Sequence, residues 1–506
     1  MLTQTSDQDA KNKYAAARAA AQALPKKLFI NNQFVDGKSG SKLPVVDPRT
    51  GETILEIEEG DTEDVDRAVH AASEAFNEGP WPKTAAQERG RMLYRLADLV
   101  EENAEELALL ETLDVGKPLM EAKMMDIPGF VSFMRYYAGW ADKLSGQTLK
   151  HVMPLLAYTL REPLGVCALI VPWNFPLGLL GMKLAPALAA GNTVVAKPAE
   201  QSMLTTLRLA QLFLEAGFPP GVFNVVTGLG PTVGAALVKH PLVDKVAFTG
   251  STSVGKQILT DAASTMKHVT LECGGKCSLI VCADANIDEA VETAHQAAFV
   301  NSGQFCTAGS RLFVHEDIYD EFMAKSVKRA QSRSIGDPFQ VTTEQGPIAF
   351  KEHFDKVLAL IEAGKEEGAK LLTGGHQLGD SGFYIQPTLF GDVRDGMRIA
   401  QEEIFGPVQC CMPWRDADEV VRRANNTVYG LAAGVFTNDL DTANYMSRAL
   451  KVGTVWINSC WFMLSPSVPF GGHKQSGSGV ENGQEGIEAY TQMKAVMMPI
   501  KRPPWV

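Results

Sequence analysis

Short apolar runs alternate with longer segments of helical character through the middle of the chain. Residues 166–171 form one such run, a turn follows at residues 172–176, and residues 179–190 have the apolar spacing of a helix. Further runs of the same kind lie at residues 193–196, 223–226 and 245–249. Short β-branched strands that alternate with helices predict a doubly wound parallel sheet of the α/β class.

A second set of strand and helix signals begins near residue 278 and contains a distinctive cysteine loop. Its strand-like runs lie at residues 279–282, 311–314, 369–372 and 452–457. Doubly wound sheets bind their ligands at the carboxyl ends of the strands. Cys306 belongs to this second unit, whereas the turns that suit a cofactor belong to the first. We therefore expect an active site in the cleft between two α/β domains.

The turns after the first four strands have the character of a nucleotide site. Glu200 follows one strand beside Lys197 and suits a ribose, and residues 250–255 follow another strand. The second segment resembles a dinucleotide fingerprint in which Thr252 replaces the middle glycine, so the phosphate should be held more loosely. Glycines in such turns more often reflect plain turn geometry. Several similar turns side by side favour a cofactor site.

The composition is that of an ordinary globular protein, with 45% hydrophobic and 21% charged residues over 506 positions. This length predicts two or three domains. The net charge of −12 argues against nucleic acid or an anionic membrane as a partner. No apolar run approaches the ~18 residues of a membrane span. The N-terminal segment is basic and alanine-rich but contains Asp7 and Asp9, so we expect a frayed leader and a cytoplasmic protein, with organelle targeting as the alternative.

The eight cysteines are scattered without a C-x-x-C pair or zinc spacing, so we expect a reducing compartment and no metal site. Cys306 stands out because its loop is rich in Gly, Ser and Thr and ends at Arg311. Such a loop can expose a thiolate for covalent chemistry, although most free cysteines are small buried hydrophobes. Glu272 precedes a Gly-Gly pair in a turn that suits a base better than a ribose ligand.

Seven segments match one known family in sequence and in order. They are Trp173-Asn174-Phe175-Pro176, Lys197-Pro198-Ala199-Glu200, Phe248-Thr249-Gly250-Ser251-Thr252, Leu271-Glu272-Cys273-Gly274-Gly275-Lys276, the Cys306 loop, Glu402-Glu403-Ile404-Phe405-Gly406-Pro407 and Pro469-Phe470-Gly471-Gly472. The chain resembles the NAD(P)-dependent aldehyde dehydrogenases over roughly residues 28–500, and it looks closest to the broad-specificity and betaine or amino aldehyde branches.

The resemblance implies a three-part architecture. A Rossmann-like dinucleotide-binding domain would occupy residues 1–143 and 163–274, and a second α/β catalytic domain would occupy residues 275–475. A small β extension for oligomerisation would be formed by a hairpin at residues 144–162 and a tail at residues 487–506. The resemblance further implies a homodimer or a homotetramer.

The resemblance also implies chemical roles for five residues. Cys306 would attack the aldehyde carbon to form a thiohemiacetal, with the Asn174 amide and the Cys306 backbone N–H around the oxyanion. Hydride transfer to the nicotinamide would leave a thioester, and Glu272 would activate the water that hydrolyses it. Lys183 is expected near Asn174 and Glu481 in a proton path behind Glu272, although both could equally be surface charges.

Eleven positions are implied to hold NAD. Lys197 and Glu200 are assigned to the adenosine ribose. Glu200 should disfavour NADP, because a 2′-phosphate would bring a second negative charge within ~4 Å of its carboxylate. The remaining positions are assigned to the adenine, pyrophosphate and nicotinamide groups, and they are Val171, Trp173, Gly230, Phe248, Ser251, Val254, Lys356, Glu403 and Phe405.

The expected substrate channel is apolar and rich in aromatic residues. Its predicted lining consists of Phe175, Met182, Val300, Phe305, Trp461, Phe462 and Phe470. No charged residue falls among these positions, which suits an uncharged aliphatic or aromatic aldehyde. The rings could also hold an amino aldehyde through cation–π contacts, and any of these residues could instead be ordinary core.

Three other functions would use parts of the same pattern. A CoA-acylating aldehyde dehydrogenase would resolve the thioester with CoA, but relatives of that type generally lack the base at Glu272. A catalytically silent structural protein on this scaffold would not need Cys306, Glu272 and Asn174 to be intact. A thiol hydrolase explains Cys306 but gives the cofactor turns no role.

Overall fold

The computed structural model describes residues 2–150, 155–460 and 465–501, and within them the chain forms 22 strands and 17 α-helices. The strands are β1 (Leu28–Ile30), β2 (Gln33–Val35), β3 (Lys42–Asp47), β4 (Glu52–Glu58), β5 (Thr148–Leu149), β6 (Leu155–Pro163), β7 (Val166–Ile170), β8 (Thr193–Lys197), β9 (Phe223–Val225), β10 (Lys245–Thr249), β11 (His268–Glu272), β12 (Ser278–Val281), β13 (Arg311–His315), β14 (Lys370–Thr373), β15 (Thr388–Gly391), β16 (Val408–Trp414), β17 (Tyr429–Gly430), β18 (Ala432–Phe436), β19 (Thr454–Ile457), β20 (His473–Lys474), β21 (Gly477–Ser478) and β22 (Thr491–Pro499).

The helices range from single turns to more than five turns. They are α1 (Leu2–Ala23), α2 (Thr62–Asn77), α3 (Ala86–Glu102), α4 (Ala104–Val115), α5 (Leu119–Glu121), α6 (Ile127–Ala138), α7 (Pro176–Ala190), α8 (Leu204–Ala216), α9 (Ala235–Lys239), α10 (Thr252–Ala262), α11 (Ile287–Phe299), α12 (Tyr319–Gln331), α13 (Lys351–Glu366), α14 (Arg398–Gln401), α15 (Ala417–Asn425), α16 (Leu440–Ala449) and α17 (Gly483–Glu488).

The first sheet has eight strands in the order β2-β1-β9-β8-β7-β10-β11-β21. Its centre, from β9 to β11, is parallel. Every residue of β7, β8 and β10 is buried, as expected when helices cover both faces of a sheet and the strands become continuous apolar runs. The four strands predicted for this unit are all present, and the α/β fold class is confirmed.

The second sheet has seven strands in the order β14-β15-β16-β13-β12-β18-β19. Its strands pair in parallel except β14, which lies antiparallel at the edge. The four runs predicted for this unit correspond to β12, β13, β14 and β19. The strand β13 follows the Cys306 loop, so the sheet fixes the end of that loop.

A third, three-stranded sheet has the order β22-β6-β5 and contains the predicted hairpin. The strand β22 pairs antiparallel with β6 over nine residues, from Thr491 opposite Pro163 to Pro499 opposite Leu155. Large apolar side chains are exposed on it, namely Leu149, Leu156, Leu160, Met493, Met497 and Met498. Residues 151–154 and 502–506 of the predicted extension lie outside the described residues, and the domain boundaries stay predictions.

The N-terminal segment is packed against the fold, so the expectation of a frayed leader is wrong. The helix α1 buries Ala10, Ala17 and Ala21 in the largest core cluster. Alanine leaves a flat helix face that can approach another helix closely. A cation–π contact adds to this packing, because the Arg49 guanidinium lies 3.7 Å from the centre of the Tyr14 ring.

None of the helices among the described residues is both long enough and apolar enough to cross a membrane.

Candidate active site

Cys306 lies in the loop that joins α11 to β13, and its side chain is partly exposed. The loop enters through Asn301 and Ser302, whose φ angles of 47° and 57° are strained for residues other than glycine. Hydrogen bonds hold this conformation, because Asn301 Nδ2 donates to the Asn174 carbonyl at 3.0 Å and Ser302 Oγ donates to the Gly346 carbonyl at 2.9 Å. The Cys306 loop is therefore fixed before any ligand binds.

The Cys306 side chain opens into a cavity of about 80 Å³. The cavity is lined by Met125, Asp126, Gly129, Phe133, Asn174, Phe175, Gly178, Leu179, Phe305, Cys306, Thr307 and Phe470. Three of the predicted pocket residues, Phe175, Phe305 and Phe470, are among them. Met182 and Val300 are buried but do not contribute to the lining. The predicted Trp461 and Phe462 lie outside the described residues.

Asn174 lies in the turn between β7 and α7 and faces the same cavity. Its Nδ2 donates to the Gln304 carbonyl at 3.0 Å, which uses one of the two amide N–H groups. The second N–H group remains to hold an oxygen atom of a ligand. The structure therefore brings the thiol and the predicted oxyanion donor into one site.

Burial raises the pKa of the Cys306 thiol well above its usual range, and the nearby Cys277, Glu403 and Glu272 raise it further. The backbone N–H of Cys306 opposes this shift by donating to the sulfur. In the absence of ligands these surroundings favour the neutral thiol over the thiolate. A base or an added positive charge is needed to produce the thiolate that attacks.

Glu272 ends β11, and both of its carboxylate oxygens are buried without a hydrogen-bond partner among the described residues. Burial raises the pKa of Glu272 well above its usual range, the charge of Glu481 raises it further, and Lys183 opposes the shift. The Glu272 side chain does not line the cavity in this structure. The charges of a buried ion pair act on it instead.

That ion pair joins Lys183 on α7 to Glu481, with 2.5 Å between Nζ and Oε1. The Lys183 side chain is fully buried and that of Glu481 is 4% exposed, so the alternative that they are surface charges is wrong. Glu481 is held in place by a backbone bridge to Phe470, which lines the cavity. The structure thus connects Glu272, Glu481 and Lys183 electrostatically behind the thiol.

A separate groove of about 550 Å³ runs across the carboxyl ends of β7, β8 and β10. Eight of the predicted cofactor residues line it, namely Val171, Trp173, Lys197, Glu200, Gly230, Phe248, Ser251 and Val254. Lys197 Nζ lies 3.3 Å from Glu200 Oε2. Ser251 caps α10, whose N-terminus is the kind of site that binds phosphate. The buried Thr249 hydroxyl, also in this groove, has no partner among the described residues, so the groove fits a nucleotide.

The three cofactor residues predicted for the nicotinamide end lie outside this groove. Glu403 Oε1 accepts a hydrogen bond from Gly275 N at 2.8 Å, and burial raises the pKa of Glu403 to about 6. Phe405 has a positive φ of 59° and places its ring 5.5 Å from the Trp173 ring, which does line the groove. Lys356 is exposed on α13, and its charge lowers the pKa of Glu403.

A glycine is required where Glu403 meets the Glu272 turn. A Cβ atom on Gly274 would lie 2.3 Å from Glu403 Oε2, which is closer than any real contact. The Gly274-Gly275 pair therefore lets this carboxylate approach the backbone between the thiol and the groove.

A family model described as the aldehyde dehydrogenase family matches residues 34–496. The chain belongs to the aldehyde dehydrogenase family. Two curated relatives are each 54% identical: the mitochondrial benzaldehyde dehydrogenase of Antirrhinum majus, with 98% of this chain and 94% of that protein covered, and the human mitochondrial aldehyde dehydrogenase, with 95% of both covered. This family membership confirms that the protein is an aldehyde dehydrogenase, as the motifs imply.

The solved structures agree with this assignment. An NAD⁺ complex of the Bacillus cereus aldehyde dehydrogenase matches with a TM-score of 0.93 and 47% identity, covering 94% of this chain and 96% of that one. The fold of this chain is therefore one that binds NAD⁺ in a related protein.

The motifs do not reveal the part of the cavity formed by residues 119–138. There the backbone forms a π-turn at Ala122–Asp126, in which Ile127 N donates to the Ala122 carbonyl. Pro128 follows, and it cannot donate to a helical carbonyl. The extra residue in this turn brings Met125 and Asp126 to the cavity. Bulges of this kind are frequent at functional sites, but apolar periodicity does not predict them.

Asp126 corrects the expectation that no charged residue lines the cavity. Its Oδ2 lies 2.6 Å from Lys117 Nζ, and that ammonium lies 3.9 Å from the centre of the Phe175 ring. Its Oδ1 is buried without a hydrogen-bond partner among the described residues. One wall of a mainly apolar cavity therefore contains a carboxylate.

Proposed function

We propose that this aldehyde dehydrogenase oxidises an uncharged aliphatic or aromatic aldehyde to the carboxylic acid with NAD. The observation that carries the proposal is the cavity shared by the Cys306 thiol, the Asn174 amide and four phenylalanine rings. An apolar aromatic cavity favours a substrate of the same character. Relatives named for benzaldehyde and for indole-3-acetaldehyde agree with this class.

In this proposal Cys306 attacks the aldehyde carbon, and the carbonyl oxygen becomes an oxyanion. The free N–H of the Asn174 amide and the Cys306 backbone N–H donate to that oxygen, and one such donor typically contributes ~3 kcal/mol. A nicotinamide dinucleotide, when bound, supplies the hydride acceptor for the oxidation of the thiohemiacetal to a thioester. The strained and hydrogen-bonded loop around Asn301 keeps the sulfur in position during these steps.

Glu272 then takes a proton from the water that hydrolyses the thioester. To act as a base Glu272 must be ionised, and Lys183, which opposes the rise of its pKa, favours that form. The Lys183–Glu481 pair lies next to Glu272 and is suited to pass the proton onward. A carboxylate at this position favours release of the free acid over transfer to CoA.

An amino aldehyde is the second candidate substrate, and Asp126 is the observation that favours it. A substrate ammonium in the cavity would be attracted by the Asp126 carboxylate, which lines it and whose buried Oδ1 has no hydrogen-bond partner among the described residues. The Lys117 ammonium on the other oxygen weakens this attraction, so we place amino aldehydes after neutral ones.

The cofactor preference that we propose is NAD over NADP. Glu200 lines the groove, and its charge is only partly offset by Lys197 at 3.3 Å. We also propose assembly into a homodimer or homotetramer through the three-stranded sheet. The free cysteines fit a reducing compartment, either the cytoplasm or an organelle, and the relatives from Antirrhinum majus and human are both named mitochondrial.

The deciding experiment mixes the purified protein with NAD and a panel of benzaldehyde, aliphatic and amino aldehydes. We expect NADH to form with neutral aldehydes, and the free acid to be the product with or without CoA. Acyl-CoA as the main product would favour the CoA-acylating alternative. If no aldehyde of the panel yields NADH, the proposal fails.

A further inference from the structure

A cluster of metal-ligating side chains lies on the surface, outside the active site. Asp66 and His70 are one helical turn apart on α2, and His240 follows the end of α9. The three residues each offer one ligand atom, and these atoms all lie within 4.8 Å of one another. The chain segments that provide them are 170 residues apart along the sequence, so the fold creates the cluster.

The two imidazoles converge on one carboxylate oxygen. His240 Nε2 lies 3.2 Å from Asp66 Oδ1, and His70 Nε2 lies 3.6 Å from the same oxygen. The rings are nearly perpendicular, with 6.0 Å between their centres. A hydrogen bond accounts for the approach of the His240 ring, whereas the His70 nitrogen lies beyond hydrogen-bond distance of the same oxygen. The three ligand atoms are close enough together to share one cation.

We propose that Asp66, His70 and His240 form a binding site for a divalent transition metal such as Zn²⁺. Two imidazoles and a carboxylate are ligands that this class of metal prefers, and water would complete the coordination. Metal–ligand bonds of ~2.0–2.2 Å place the ligand atoms of a tetrahedral site a little over 3 Å apart, which is close to the distances of 3.2 and 3.6 Å from Asp66 Oδ1 to the two ring nitrogens.

The surroundings allow these ligands to adjust to a metal. The side chains of Asp66 and His70 are 58% and 62% exposed, so they can rotate without repacking the core.

Two features oppose binding and limit its affinity. His240 Nδ1 accepts a hydrogen bond from Leu242 N at 3.1 Å, and coordination through Nε2 moves the ring proton to Nδ1 and ends this bond. The Lys267 ammonium donates to the His240 carbonyl and repels a cation. We therefore expect a reversible site of moderate affinity.

The position of the cluster gives a bound metal a structural consequence. A metal would join α2 to the segment after α9, and Val238, two residues before His240, lines the cofactor groove. Coordination would therefore fix one wall of the groove at the adenosine end. This inference does not depend on the proposed substrate or on the reaction.

The test is a zinc titration of the full-length Cys306→Ser protein, which lacks the partly exposed catalytic thiol as a competing ligand. A chromophoric chelator reports free Zn²⁺. We expect about one equivalent to bind. His70→Gln and His240→Gln in the same background should each weaken binding at least about tenfold. His376→Gln removes an exposed histidine outside the cluster and should change nothing.

A second measurement separates coordination from loose surface binding. Zn²⁺ should raise the unfolding temperature of the Cys306→Ser protein but not that of its His70→Gln form. Unchanged zinc affinity in both cluster variants, or equal loss in the His376→Gln control, would overturn the proposal. Aldehyde oxidation by His70→Gln with Cys306 intact should equal that of the unmodified protein. The zinc measurements therefore test the metal site separately from the dehydrogenase activity.

Discussion

Burial controls the protonation of the two groups that would act on the substrate. The pKa values of the Cys306 thiol and the Glu272 carboxyl are both raised, chiefly because each is removed from water. In the ligand-free enzyme both groups therefore hold their protons more firmly than they would in water. The proton on sulfur must leave before attack, and the charges of Glu403 and Glu272 both oppose its loss.

Replacement of this carboxylate separates the two halves of the reaction. In Glu272→Gln we expect steady-state turnover to fall by about 10²-fold or more, since general base catalysis typically contributes 10²–10⁴-fold. The first turnover should still release NADH, because hydride transfer precedes hydrolysis. Stopped-flow absorbance would resolve this burst. Glu402→Gln, an exposed neighbour of Glu403, is the control and should keep normal turnover. Turnover of Glu272→Gln within about twofold of normal would show that another group activates the water.

Glu200 offers a second prediction at the scale of one residue. In Glu200→Gln the repulsion of a 2′-phosphate is removed, and we expect the ratio of kcat/KM for NADP to that for NAD to rise about tenfold or more. This corresponds to ~1.4 kcal/mol, near the lower end for two charges ~4 Å apart. Steady-state kinetics with both cofactors would measure it. Glu215→Gln, on α8 and outside the groove, should leave the ratio unchanged. An unchanged ratio in Glu200→Gln would remove this residue from the ribose site.

A buried carboxyl group on one helix, that of Asp114, caps the start of a neighbouring helix. Asp114 on α4 is 2% exposed, and its Oδ2 accepts a hydrogen bond from Leu204 N, the first residue of α8, at 2.8 Å. The carboxyl therefore caps one helix from another. Burial raises the pKa of Asp114 to about 8, and the hydrogen bond from Leu204 opposes this shift.

The stability of this contact should depend on pH in a defined direction. The folded state keeps the Asp114 proton up to about pH 8, whereas the unfolded chain releases it near pH 4. Folding is therefore weakened as pH rises between these values. Asp114→Asn keeps the hydrogen-bond acceptor and cannot ionise. From pH 5 to pH 8, the free energy of unfolding of this variant should therefore increase relative to that of the unmodified protein. The increase should be a few kcal/mol, on the order of 1.4 kcal/mol per pH unit at most. Thermal unfolding at both pH values would measure this. Asp98→Asn, at an exposed site on α3, should show no such trend.

Strands with a short, mainly apolar run between clear turns were predictable from sequence, and strands held mainly by tertiary packing were not. The strands β7 and β10 consist of apolar runs between clear turns, so local pattern was sufficient. The strand β18 (Ala432–Phe436) contains three small residues of low strand propensity, and its place in the sheet comes from the partners β12 and β19. The apolar run of β16 is interrupted by Gln409 and Pro413, so the sequence pattern does not predict this strand either.

The active-site residues divide in the same way into those that local sequence predicts and those that depend on tertiary packing. The residues around Cys306 and along the groove lie in short turns whose composition reflects the chemistry, so motifs were sufficient to place them. Asp126 was missed because its approach to the cavity depends on the π-turn and on a buried pair with Lys117. The burial of Lys183 also depends on its distant partner Glu481. Pairings across the fold of this kind leave no local signal.

At the scale of the whole molecule, the active site is assembled by the C-terminal segment as well as by the two large sheets. The first sheet contributes Glu272 and the groove, and the loop before β13 contributes Cys306. The strand β21 then pairs with β11 beside Glu272, and the chain on either side of it supplies Phe470 and Glu481. Displacement of this segment would therefore disturb the cavity and the buried ion pair together.

The three-stranded sheet provides the last prediction, because it exposes apolar surface that a monomer would leave in water. Met493 and Met497 on β22 are 56% and 63% exposed, and they lie on the same face since they are four residues apart in a strand. If this face joins two copies, Met493→Glu/Met497→Glu should place four carboxylates in each twofold interface and shift the protein to monomers, as analytical ultracentrifugation would show. Leu440→Glu, at a 75% exposed position on α16, introduces a comparable charge elsewhere and should leave the assembly intact. An assembly of unchanged mass in the double variant would mean that copies associate through another surface, and the exposed methionines would then need a different partner.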